Sequence, residues 1–244
     1  MIMYLKQFDL NLDLIPKEEE INDIMQKNNL SQHEAVYFWH KNVGNTISRK
    51  FMLETRCIFS FYERLFDKIE IDDFWRVLIV VTKEKKDNKF ISCGNVLDVY
   101  ICYDYEEFYK LDDYHKKVKS LELLMDGLKL VSEKYNISYD IFLKPTIEIK
   151  KQNYNNTWIW STKKKGKNTA VLEIAHDIYT LKMKFFVIDS NDNCLASYEK
   201  ITNPSEWEYV RFLGKIKWIS RNNVVWIDKN GSTVKEFTLI SAHL

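Results

Sequence analysis

The residues best equipped for chemistry are dispersed along the chain, and each also has a plain structural use. His33 and His40 lie seven positions apart, with Glu34 beside one of them, and would share a face on a helix. Metal ligation favours histidines at i,i+4 or a cluster closed by a third ligand, so this pair reads as ordinary histidines. Asp112, Asp113 and His115 could set a carboxylate beside a base, but no serine or cysteine motif supplies a nucleophile. An acid-rich first turn is also what a helix N-terminus favours. His176 and Asp177 are adjacent in a strand-like segment, where alternation puts His176 on the face of Leu172 and Ile174, a packing position. Asp98 shares a face with Val96, Tyr100 and Cys102, and burial there would raise its pKa, which makes it the single acid to watch.

The motifs that announce common catalytic solutions are missing. The chain has no Walker motif, dinucleotide fingerprint, G-x-S-x-G elbow or paired C-x-x-C. Its six glycines leave little material for loops that wrap phosphates. The residues name no catalytic site, metal site or cofactor, and an enzyme with dispersed acids, a hydrolase, stays open as an alternative.

Charge is more suggestive. From Asp98 to Asp113 there are six acids against Lys110 alone, whereas from Lys144 to Lys184 nine lysines face three acids. Tyr105, Glu106, Glu107, Tyr109, Asp112 and Asp113 form the candidate protein-binding surface, since aromatics give rigid contact area and acids give on-rate and selectivity toward a basic partner. Trp158, Trp160, Lys163, Lys164, Lys165 and Lys167 form the alternative, a surface for single-stranded nucleic acid. Lysines on exposed strands also block unwanted sheet pairing, and a net charge of +1 supplies no field to draw in a polyanion, so nucleic acid is the weaker reading.

The elements that must position these residues are legible in outline. With 244 residues and 45% apolar content, the chain can bury a sizeable core. Pro16 before Lys17-Glu18-Glu19-Glu20 predicts a helix start. Residues 31–66 fit both a two-residue and a helical period, and their type stays open. Trp75 to Thr82 predicts a central strand covered on both faces, Lys83 to Lys89 a polar turn, and Val96 to Tyr103 a returning strand. Tyr114, Val118, Leu121, Met125, Leu128, Val131 and Tyr135 predict a long helix, in which Gly127 marks close packing.

From Asn153 onward, apolar residues alternate with lysines between turn signals at Lys163 to Asn168, Asp189 to Asn193, Asn203 to Ser205 and Asp228 to Gly231. The fold class is therefore α+β. An α+β region over 1–152 precedes an antiparallel β region over 153–244, and the two are expected to share one core. Four cysteines without close pairs read as reduced and mostly buried thiols. The amino-terminal segment does not read as a secretory signal and no apolar run is long enough to cross a bilayer, so a cytoplasmic protein without membrane contact is expected. The oligomeric state stays open.

Three segments, Tyr109 to Lys117, Phe212 to Ser220 and Val224 to Gly231, resemble bacterial cytosolic proteins found beside polymorphic toxins, which include immunity proteins. The resemblance rests on core and turn patterns, so it assigns no binding residue. It implies a non-enzymatic module that binds and blocks a cognate toxin. The near-zero net charge departs from the acidity of immunity proteins that neutralise nucleases.

Overall fold

The computed structural model describes residues 3–239; Met1 and Ile2, part of the amino-terminal segment read above, lie outside them. The chain divides into two compact units, Met1–Tyr154 and Asn155–Leu244.

The first unit opens with β1 (Met3–Leu5) and β2 (Gln7–Asp13), followed by α1 (Glu18–Asn28), α2 (Gln32–Trp39) and α3 (Asn45–Leu65). Next come β3 (Ile69–Ile71), β4 (Arg76–Thr82), β5 (Phe90–Cys93) and β6 (Val96–Cys102), then α4 (Tyr105–Tyr109), α5 (Asp113–Tyr135) and α6 (Tyr139–Lys151). The main sheet has the order β2-β4-β6-β5, with β2, β4 and β6 parallel. The segment after the polar turn does not return directly as Val96 to Tyr103. The returning strand is β5, antiparallel to β6 across a two-residue turn in which Gly94 takes φ +59.

The segment of open type is helical. Ser31 caps α2, Glu34 reaches back to the Ser31 N–H, and a π-helical turn at His40–Gly44 joins α2 to α3. Gly44 is required there, because a Cβ would stand 2.9 Å from the Trp39 ring.

One face of the sheet is apolar throughout: Phe8, Leu10 and Leu12, then Val77, Ile79 and Val81, then Leu97, Val99 and Ile101 are all buried. Helix α5 lies on that face so closely that a Cβ on Gly127 would come within 2.2 Å of Ile79 Cδ1. The other face is only partly covered: on β4, Val80 and Thr82 are buried while Arg76 and Leu78 are half-exposed. The expectation of cover on both faces therefore holds only toward the C-terminal end of the strand.

Helix α3 also guards the free edge of β2. The Phe8 N–H donates to Glu63 Oε1 at 2.8 Å, and Arg56 Nη1 donates to the Phe8 carbonyl at 3.1 Å. Two side chains thus occupy backbone groups that would otherwise invite another strand.

The second unit carries β7 (Asn156–Lys165), β8 (Asn168–His176), β9 (Leu181–Ile188) and β10 (Cys194–Thr202) as an antiparallel meander. After α7 (Glu206–Tyr209), strands β11 (Lys215–Trp218), β12 (Asn223–Ile227) and β13 (Thr233–Thr238) form a second antiparallel sheet. The alternation is realised on β9, where Leu181, Met183, Phe185 and Val187 are buried and Lys182 and Lys184 exposed. The lysine-rich turn is tighter than its composition suggests: Lys165 pairs with Asn168, so Lys163–Lys165 belong to β7 and only Gly166 and Lys167 turn. The cysteines correct their expectation, since only Cys57 is buried, while Cys93, Cys102 and Cys194 are exposed free thiols at strand ends. Among the described residues no helix is long and apolar enough to cross a membrane.

Candidate functional site

Parallel strands deliver loop residues to one end of a sheet, and ligands of open α/β sheets commonly bind outside the strands' carboxyl ends. At that end a cleft of about 390 Å³ opens. Asp13, Leu14 and Ile15 come to it from the end of β2, Lys83 and Glu84 from the end of β4, and Tyr105 and Glu106 from the first turn of α4. Trp39 of α2 and Ile47 of α3 form apolar wall, and Lys17 and Glu20 approach from the start of α1. The lining holds four carboxylates (Asp13, Glu20, Glu84, Glu106) and two ammonium groups (Lys17, Lys83), a surplus of two negative charges.

Local bonds fix these groups. Asp104 caps α4 by accepting from the Glu106 N–H at 3.0 Å, and that bond, with Lys83 nearby, holds its carboxyl below the usual range. Lys83 Nζ lies 3.1 Å from Asp104 Oδ1 and 2.9 Å from Glu106 Oε1, and 4.9 Å from the centre of the Tyr105 ring. Burial opposes the Lys83 charge, but its hydrogen bonds to Glu106 and Asp104 outweigh it and raise the pKa. Asp13 is ion-paired with Lys86. Glu20 accepts from the Lys17 N–H at 3.0 Å as part of the α1 cap. Ile15, at 63% exposure, is an unshielded apolar residue at the rim.

The six acidic-aromatic candidates separate. Tyr105 and Glu106 line the cleft. Tyr109 is half-buried: its ring packs edge-on against Phe51, its hydroxyl donates to the Ile47 carbonyl at 3.4 Å, and burial raises its pKa. It seats α4 on α3. Glu107 is exposed and paired with Lys110 at 2.6 Å. Asp112 caps α5 through the His115 N–H at 2.8 Å and holds the His115 ring at 2.8 Å, while Asp113 is exposed in the first turn.

The nucleic-acid candidates separate as well. Trp158 is half-buried against the apolar core of its unit. Trp160 is 41% exposed, but its indole N–H donates to the Gly214 carbonyl at 2.9 Å. Trp218 donates in the same way to Lys163, and Trp226 to Phe212, each at 2.9 Å. The first two bonds tie β7 to β11 and the residue before it, and the third ties β12 to the segment that precedes β11, so these three tryptophans serve as struts. Lys163, Lys164, Lys165 and Lys167 remain exposed.

None of the remaining titratable candidates is among the residues that line the cleft. His176 is buried, with its ring 5.6 Å from that of Tyr209. Asp98 is half-buried on the polar face; desolvation raises its pKa against the pull of Arg76. His33 and His40 are both exposed.

Asp13, Ile15, Lys83 and Glu84 were not singled out from sequence. Their signal was position, since each follows directly on a strand whose end becomes visible only once β2 and β4 are known to run parallel. Compared with protein-family models, curated proteins and solved structures, the chain matches none of them.

Proposed function

We propose that this chain is a non-enzymatic protein-binding module whose acidic, aromatic cleft receives a basic segment of another protein, in the manner of an immunity protein that occludes a cognate toxin. The observation that carries the reading is the opening of Tyr105 and Glu106 onto a concave surface with surplus negative charge and an exposed apolar rim at Ile15. Such a surface offers an anchoring ring and apolar contact at its rim, with carboxylates that select for lysine or arginine. The resemblance of three segments to proteins encoded beside polymorphic toxins supplies the class of partner.

The test is size-exclusion chromatography of the purified chain mixed with the product of its neighbouring gene. A shared peak that is lost in the double variant Tyr105→Ala/Glu106→Lys supports the reading. Separate elution of the two wild-type proteins removes it.

A further inference from the structure

A second cavity, of about 290 Å³, lies on the other side of the Asp13–Lys86 ion pair and differs in character from the cleft. Thr82 borders both, but the second cavity draws three lysines, Lys85, Lys86 and Lys89, from the loop between β4 and β5. Tyr100 and Cys102 of β6 and Asp126 of α5 also line it. Among the described residues neither Lys85 nor Lys89 has an ion-pair partner, and Lys86 sits 4.5 Å from the centre of the Tyr100 ring. The Thr82 hydroxyl oxygen accepts from the Glu84 N–H at 3.3 Å, which leaves its own O–H to donate. Burial raises the Tyr100 pKa, keeping the phenol protonated and a donor. Five residues that carry hydrogen-bond donors, three of them lysines and two of these, Lys85 and Lys89, exposed, therefore line one cavity that holds a single carboxylate.

We infer that this cavity binds a small phosphate-class oxyanion, held by Lys85 and Lys89 with Lys86, Thr82 and Tyr100 as further donors. A tetrahedral dianion uses many donors at once, and charge-assisted hydrogen bonds are the stronger kind. Asp126 is the opposing group. Desolvation, with nearby Glu122, raises its pKa against the pull of Lys119 and Lys129. Because Lys86 also holds Asp13 in the wall of the acidic cleft, an anion that draws on Lys86 bears on the neighbouring site too.

The experiment is a titration of the full chain with inorganic phosphate and, separately, glycerol phosphate, followed by amide NMR shifts at constant ionic strength set with sodium chloride. Saturable shifts over residues 82–89 are expected. Tighter binding of glycerol phosphate would identify an ester as the ligand, and equal binding free phosphate. Lys85→Ala/Lys89→Ala should weaken binding about tenfold or more, the scale of losing charge-assisted bonds. Asp126→Asn should tighten it, a gain that a misfolded variant cannot mimic. Shifts that fail to saturate, that sodium chloride reproduces, or that are unchanged in both variants would overturn the proposal.

Discussion

One cluster of charge in the first unit lies along the guarded edge of β2, separate from the buried Lys116–Glu54 pair between α5 and α3. Arg56 stands 2.6 Å from Glu63 and 3.3 Å from Asp9, and Arg76 stands 2.7 Å from Asp9. Burial pushes the Glu63 carboxyl from 4.5 up to about 7; Arg56 and the Phe8 N–H pull it down and Asp9 adds to the rise. A carboxyl with a raised folded pKa binds its proton more tightly when folded. Its stabilisation is then complete below the unfolded value and is lost as pH rises through about 7. Wild type is therefore expected to lose more stability than Glu63→Gln between about pH 5 and about pH 8, read from urea unfolding midpoints. Equal losses would mean that Glu63 is already ionised at the lower pH.

The tryptophan struts belong to the same scale. Trp218→Phe keeps an aromatic ring but removes the donor to the Lys163 carbonyl, and is expected to destabilise by about 1 kcal/mol in thermal unfolding. Some residue meanings were legible and some were passed over. Gly127 was readable as a close approach because glycine is out of place in a helix interior without a packing reason. Ser31 and Glu34 form a capping box that marks a helix start, and that spacing would have settled the open segment.

At the level of elements, packing of α5 against β4 gives a sharper test. Gly127→Ala gains about 1 kcal/mol of helix propensity but drives a methyl into Ile79, which is fully buried; overpacking of this kind costs about 1–3 kcal/mol. Net destabilisation is expected, and Ile79→Val in the same chain should recover part of it by removing Cδ1, the nearest clashing atom. A Gly127→Ala protein more stable than wild type would show that the helix stands further off the sheet. Element types were legible where one period dominated, as in α5 and β9. They were not legible over residues 31–66, where Phe51, Phe59 and Phe61 satisfy two periods because α3 buries an unbroken run from Glu54 to Phe59 and then Phe61 and Tyr62. Strand direction was illegible for another reason. A run such as Arg76–Thr82 carries no mark of whether its neighbour runs parallel, and that depended on the short β5 inserted before Gly94.

For the molecule as a whole, the acidic-aromatic region was readable from composition, but its concavity was not. Composition grouped six residues from Tyr105 to Asp113, and chain direction after β6 turned only Tyr105 and Glu106 into the cleft. A partner attracted by surplus carboxylates should associate more slowly as salt rises while dissociation changes little, which stopped-flow mixing at two ionic strengths would read. A salt-independent association rate would locate binding elsewhere.

The most direct measurement is isothermal titration of the neighbouring gene product into wild type and into Tyr105→Ala/Glu106→Lys, with unfolding curves to confirm that both are folded. A saturable one-to-one complex is expected, weakened at least about a hundredfold in the variant, as for loss of an aromatic anchor and reversal of a contact charge. Equal affinity for both proteins would contradict it.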